Sequence, residues 1–236
     1  MTRQIIVFMH MDDEHPGYIA DFLQQRNIQV RLIRAYAGEP APCADDTIAG
    51  LVFMGGTMSV NDRIPWLDQE IEFIKLAATK RIPLLGHCLG GQMIAKALGG
   101  KISPNPRVEI GWHACSREDD LAAQDWLGEV SDPFTMFHWH KETFSLPENS
   151  KLLFSSQHCR NQAFTIGNNV LAMQCHLEMT EPLLRDWIDH WREDLSEDSQ
   201  SVQSYKRIDK DFKENIADLR LVADQLYGRW VSTLAL

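Results

Sequence analysis

Apolar runs of strand length alternate with helical patterns through the first hundred residues. QIIVFMH (4–10) predicts a strand, GYIADFLQQRN (17–27) a helix and QVRLIRAY (29–36) a second strand. A loop rich in proline and alanine leads into GLVFMGG (50–56), a third strand ending in two glycines. WLDQEIEFIKLAATK (66–80) places apolar side chains at 67, 71, 74 and 78, the spacing of an amphipathic helix. IPLLGH (82–87) predicts a strand and GGQMIAKAL (90–98) the helix after it. Strands that are apolar at nearly every position bury both faces, so this half predicts a parallel sheet covered by helices on both sides.

The second half has a different texture. VEIGWHACS, FTMFHWH, KLLFSSQ, QAFTIG and NVLAMQCH are short strand candidates joined by turn residues, which predicts hairpins at a sheet edge and then a return into the core. From Thr180 the pattern turns helical, with Glu181 and Pro182 suited to a first turn after an N-cap threonine. Residues 199–232 carry apolar side chains at spacings of three and four, which predicts one long amphipathic helix. Such a helix either packs on its own domain or offers a surface to a partner or to a second copy in a homodimer. The expected division is a domain over 1–192 with a C-terminal helical extension over 193–236.

Composition narrows the class. A chain of 236 residues with 44% hydrophobic and 24% charged residues is long enough for one sizeable core. A net charge of −10 argues against nucleic acid as a partner, though not against small ligands held by local donors. The first apolar run, IIVFM, is too short for a membrane span or signal-peptide core and reads as a buried strand. Five scattered cysteines, Cys43, Cys88, Cys115, Cys159 and Cys175, include no C-x-x-C pair, so a disulfide framework or zinc site is not expected and a reducing cytoplasm fits.

One cysteine stands apart. GHCLG (86–90) fits G-x-C-x-G at a strand-to-helix junction, the cysteine form of the turn that lifts a nucleophile above an α/β sheet. N–H groups at the start of the following helix favour thiolate over thiol. A lone cysteine in another context would read as core packing. His176 and Glu178, two apart at the end of a predicted strand, would fall on one side by alternation and offer a base and its orienting carboxylate. Backbone donors for an oxyanion would be the N–H groups of Leu89 and of Gly56, in the Gly-Gly turn. That turn could equally be an ordinary connection, with SVNDRIPW (59–66) lying near it.

Together MGG (54–56), GHCLGGQ (86–92) and QCHLE (174–178) resemble the class I, or triad, glutamine amidotransferases. The resemblance covers about residues 4–192. It is strongest to free-standing members similar to the amidotransferase half of GMP synthase, a placement supported by EIGWH (109–113) and HWHKETFSLP (138–147). It implies an α/β three-layer sandwich of flavodoxin-like type with a mainly parallel central sheet. It implies Cys88, His176 and Glu178 as catalytic triad, Gly56 and Leu89 as oxyanion hole, and substrate contacts at Gly55, Gln92, Trp139 and His140. The reaction implied is hydrolysis of the glutamine side-chain amide through a γ-glutamyl thioester, with ammonia passed to a synthetase partner or another acceptor. Hydrolysis of other γ-glutamyl bonds uses the same chemistry, and a non-catalytic binding domain is a third reading.

No cofactor is implied. Leu177 stands where the family has proline, which leaves the backbone between His176 and Glu178 without that stiffening. No S-G-G-x-D-S or G-x-x-x-x-G-K-[ST] loop is present for binding ATP, and a fused synthetase segment is not expected. His138 and His140 form an H-x-H pair without a third ligand in the spacing, so no metal is expected. His87 is expected to face away from Cys88, Cys175 to be a core residue, and Trp112 and Trp139 to be the tryptophans nearest the pocket.

Overall fold

The computed structural model describes residues 3–45, 47–195, 198–210 and 212–235. Positions 196, 197, 211 and 236 of the expected C-terminal extension lie outside the described residues. Among the described residues nine strands form a single sheet in the order β2-β1-β3-β4-β9-β8-β7-β5-β6. Five of them run parallel: β1 (Gln4–Met9), β2 (Val30–Arg34), β3 (Ile48–Phe53), β4 (Leu84–His87) and β9 (Val170–Met173). The other four continue the sheet antiparallel: β5 (Ile102–Arg117), β6 (Phe134–Phe144), β7 (Ser150–Ser156) and β8 (Ala163–Ile166). The alternating parallel half and hairpin-built half follow the division predicted from the apolar pattern.

Alternation along β1 sends Ile6 and Phe8 to one face and Ile5 and Val7 to the other. On the first face lie α2 (Pro65–Thr79) and α3 (Leu89–Ala97), which bury Leu67, Ile74, Met93 and Ile94 against the sheet. On the second lie α1 (Tyr18–Gln24), α4 (Leu121–Leu127), α5 (Glu181–His190), α6 (Tyr205–Lys210) and α7 (Phe212–Val231). The result is the expected three-layer α/β sandwich. Thr180 caps α5 as its sequence predicts, its hydroxyl accepting from Leu183 N–H at 3.3 Å.

The helical elements depart from expectation in two places. The short helix α4 has no strong periodic signal; it is capped by Asp120, whose carboxylate accepts from Ala122 N–H at 2.8 Å, and held by buried Trp126 and Leu127. The predicted helix over 199–232 does not start until Tyr205. Before it, Val202 forms a parallel bridge to Ile110 of β5, and the Gln203 amide brackets Trp112, accepting from its N–H at 2.9 Å and donating to its carbonyl at 2.6 Å. The reason is hydrogen-bond demand. β7 pairs with β5 only over 115–117, so the edge of β5 near Ile110 needs another backbone to satisfy it.

From Phe212 onward the amphipathic pattern holds. α7 turns Leu219, Val222, Leu226, Tyr227 and Trp230 into the core. Trp230 crosses Gly50 of β3, where a Cβ would stand 3.1 Å from the indole.

Candidate active site

The carboxyl ends of the parallel strands meet in one cleft, the place where open α/β sheets gather ligand-binding loops. β1 leads into His10 and Glu14, β3 into Gly55 and Gly56, β4 into Cys88, and β9 into the segment 174–178. A pocket of about 260 Å³ opens there, lined by Glu14, Gly56, Cys88, Gln92, Trp139 and His140 among others.

Cys88 stands at the cap of α3 with φ +46° and ψ −108°, a left-handed conformation rare for a side chain with a Cβ. Its own N–H is held by Met173 O at 2.8 Å on the neighbouring strand. The glycine after next explains how so sharp a turn packs. A Cβ on Gly90 would fall 2.1 Å from Phe53 O, so only glycine lets α3 start this close to β3. The thiol faces Trp139 O at 3.8 Å and receives the Gln174 side-chain N–H at 3.6 Å.

Leu89 occupies the first helical position, where a backbone N–H has no partner within the helix. Gly56 is its neighbour across the cleft, since a Cβ there would lie 2.7 Å from Leu89 Cδ2. The Gly-Gly turn is fixed from β1: His10 Nδ1 donates to Met54 O at 2.8 Å, and its Nε2 donates to Glu70 at 3.0 Å. Burial would push the His10 imidazole down, but the Glu70 carboxylate together with the Met54 and Gly55 carbonyls raises it.

His176 and Glu178 come together, though not by the expected route. β9 ends at Met173, so the two residues sit on a turn rather than on strand alternation. Three ties shape that turn: His176 N–H donates to Phe137 O at 2.9 Å, Tyr18 N–H donates to Glu178 O at 2.8 Å, and Arg220 of α7 donates to Leu177 O and Met179 O. Within it His176 Nδ1 donates to Glu178 Oε1 at 2.7 Å. His176 Nε2 is buried and has no hydrogen-bond partner among the described residues, while the Cys88 thiol lies beside the ring.

Burial alone would lower the His176 imidazole; the Glu178 charge and the Cys88 sulfur outweigh it and raise it well above its ordinary value. Burial would raise the Glu178 carboxyl, but the facing imidazoles of His87 and His176 bring it below its usual range. The pair is therefore arranged as imidazolium and carboxylate.

Gln92 donates to Gln174 at 3.2 Å and so braces the residue that reaches the thiol. The His140 ring, by contrast, is turned inward: Nδ1 donates to Glu142 O at 3.0 Å and Nε2 to Glu109 at 2.9 Å. Glu109 also accepts from Ser156 and Gln162, each at 2.6 Å. Burial would raise this carboxyl; His138, His140 and the Ser156 hydroxyl hold it far below the usual range. His138 is itself pushed down to about 3 by burial, against the upward pull of the Glu109 charge. Glu109, His140 and Cys159 each bring one ligand atom within 4.8 Å of the others, a set that could hold a metal ion and that the H-x-H spacing did not foreshadow. With both carboxylate oxygens already met by protein donors, the cluster closes on itself as a hydrogen-bond network.

Several pocket residues carried no sequence signal. Glu14 is buried beside His176 with Oε2 unpaired among the described residues, and it fits only because Gly55 is glycine: a Cβ there would lie 2.0 Å from that oxygen. Trp187 packs edge-on against the His176 ring, with centroids 4.8 Å apart, and Trp191 lines the pocket beside it. Trp112, expected near the pocket, instead lies under α6, its indole donating to Ile208 O at 3.2 Å. His87 does point away from the thiol, and it reaches the back of Glu178.

The family model "Glutamine amidotransferase class-I" matches residues 16–184. The chain belongs to the class I glutamine amidotransferases. Among curated relatives, the glutamine amidotransferase-like protein YfeJ of Salmonella typhimurium is 29% identical over 217 residues, 90% of this chain and 87% of that protein. Gamma-glutamyl peptidase 4 of Arabidopsis thaliana is 27% identical over 71% of this chain and 70% of its own. GMP synthase [glutamine-hydrolyzing] of Cytophaga hutchinsonii is 25% identical over 80% of this chain, which spans 36% of that enzyme. A solved glutamine amido transferase from Methylobacillus flagellatus superposes with a TM-score of 0.95 at 34% identity, over 99% of this chain and 96% of that one. The flavodoxin-like class I amidotransferase fold implied by the sequence is thus the fold of the molecule. No helix among the described residues of this amidotransferase is long and apolar enough to cross a membrane.

Proposed function

We propose that this amidotransferase hydrolyses the side-chain amide of glutamine, with Cys88 as nucleophile, His176 as proton carrier and Glu178 as its orienting carboxylate. The observation that carries this reading is the placement of a left-handed Cys88 in the pocket with the 2.7 Å His176–Glu178 pair behind it. The sulfur, its proton passed to His176 Nε2, bonds to the carboxamide carbon, and the carbonyl oxygen takes up charge against the N–H groups of Gly56 and Leu89. Collapse breaks the carbon–nitrogen bond while His176 returns the proton to nitrogen, so ammonia leaves and a γ-glutamyl thioester remains. Water deprotonated by His176 attacks that carbon, the carbon–sulfur bond breaks and glutamate is released.

Gly55, Gln92, Trp139 and His140 shape the substrate pocket in this reading, with His140 acting through backbone since its ring is engaged by Glu109. The scheme needs no cofactor. Residues 1–192 carry the catalytic fold and 193–236 add helices packed on it. Five unpaired thiols suit a reducing cytoplasm, and likeness to GMP synthases supports a synthetase partner as receiver of the ammonia.

A second reading, hydrolysis of γ-glutamyl peptides, is favoured by a specific feature. A groove of about 1030 Å³ adjoins the pocket and shares Thr57, Lys141, Trp191 and Asp194 with it, leaving room for a substituent on the leaving nitrogen. Likeness to gamma-glutamyl peptidase 4 points the same way.

The test is glutamate release from glutamine and from a γ-glutamyl dipeptide, with Cys88→Ala as blank. Turnover of glutamine supports the first reading and turnover of the dipeptide alone the second. Absence of both, with and without candidate synthetases, overturns them.

A further inference from the structure

The helix α7 lies beyond the stretch matched by the family model, yet two of its side chains bear on the triad. Arg220 donates to the carbonyls of Leu177 and Met179, on either side of Glu178, and its guanidinium lies 3.6 Å over the Tyr18 ring. Tyr18 in turn supplies the N–H that holds Glu178 O. Two turns further along the helix, the Tyr227 hydroxyl lies 2.8 Å from His87 Nε2. The same nitrogen is 3.6 Å from Glu178 Oε2, the oxygen His176 does not use.

We propose that α7 is the strut that orients Glu178: Arg220 fixes the backbone of its turn, and Tyr227, through His87, fixes the side chain. Both are positioning residues, and the proposal rests on the triad reading above. Three features of the site argue for it. The turn is irregular backbone with leucine, not proline, at 177, so its shape depends on external hydrogen bonds. Glu178 Oε2 and His87 Nδ1 are both buried without a hydrogen bond among the described residues. An unpaired buried lone pair costs less than an unpaired N–H, so the neutral His87 carries its proton on Nε2, shared toward Tyr227 and Glu178. Burial lowers His87, which keeps it uncharged behind the ion pair.

A helix that only covered the sheet would place apolar groups here. Instead, a fully buried tyrosine presents its hydroxyl to the histidine next to the thiol. Loss of that hydroxyl leaves His87 free to turn, and Glu178 loses the donor facing its second oxygen. Loss of Arg220 frees two carbonyls of the turn and with them the angle of the carboxylate.

The experiment compares wild type with Tyr227→Phe, Arg220→Ala and, as control on the exposed face of α7, Leu221→Ala. The first readout is kcat and KM for glutamate release. The second is the pH profile of iodoacetamide alkylation at Cys88, resolved by peptide mass spectrometry, which needs no substrate. Tyr227→Phe keeps the ring and so guards against simple unfolding. Expected are a fall in kcat of about tenfold or more with KM little changed, and an alkylation profile displaced to higher pH, in both variants but not in the control. Folded variants with wild-type profiles and turnover would overturn the proposal. If no form turns over glutamine or dipeptide, the functional reading fails, while the alkylation profiles still decide whether α7 positions the triad.

Discussion

Nδ1 of His176 donates to Oε1 of Glu178 at 2.7 Å, and both residues are almost wholly buried on a turn that leaves the sheet. A buried carboxylate at this distance both fixes which ring nitrogen carries the proton and stabilises the charged ring. Replacing it with an amide keeps the shape and removes the charge. Glu178→Gln should reduce turnover by a factor of about 10² to 10⁴ with the circular dichroism spectrum unchanged. An active Glu178→Gln enzyme would remove the carboxylate from the mechanism.

Burial beside the pocket pushes the Glu14 carboxyl up from 4.5 to about 7; His176 opposes this, Glu178 adds to it, and His10 and Asp13 exert smaller opposite pulls. Below pH 4.5 this carboxyl is protonated folded or unfolded. Above 4.5 the unfolded chain releases the proton while the folded protein keeps it until about pH 7, so stability falls as pH rises through this window. At about 1.4 kcal/mol per pH unit, the loss is about 3 kcal/mol. Urea unfolding across pH 4 to 8 should show this slope in wild type and a flatter one in Glu14→Gln.

Gly90 is tested by its nearest neighbour, a backbone oxygen that cannot swing aside as a flexible side chain would. Gly90→Ala should cost about 3 kcal/mol, seen as a melting temperature lower by about 6–12 °C, because α3 must shift away from β3. The same shift moves Leu89 away from Gly56, so activity per folded molecule should fall as well. A stable and active Gly90→Ala protein would mean that α3 has more room than its start beside Phe53 allows.

Thr180→Ala removes the cap of the helix that brings Trp187 and Trp191 to the pocket. Chemical denaturation should show a loss of about 1 kcal/mol. Turnover by the folded fraction should stay near wild type, since the helix core remains packed through Leu183, Leu184 and Trp187.

Legibility in the sequence followed the range of the interaction involved. QIIVFMH and IPLLGH reveal buried strands because burial on both faces demands apolar side chains at consecutive positions. The turn at Cys88 is legible because its glycines answer a local steric need. His176 and Glu178 were legible as a pair, but not through the strand geometry first expected. Their proximity rests on hydrogen bonds to Phe137 and from Tyr18 and Arg220, on three elements distant in sequence. The extended stretch around Val202 is not legible in the helical spacing for a related reason: its conformation answers the edge of β5 near Ile110, about ninety residues upstream.

The sequence by itself determined the alternating strands and helices of the parallel half, the sharp turn that carries Cys88 and the cap that starts α5. Each depends on side-chain patterning or sterics within a few residues. Only the tertiary structure decided that Glu14 is desolvated against Gly55, that Trp187 abuts His176, and that His87 stands between Glu178 and Tyr227. Desolvation and charge interaction depend on distances between elements brought together by the sheet, and those distances are set by packing of the whole domain rather than by any local run of residues.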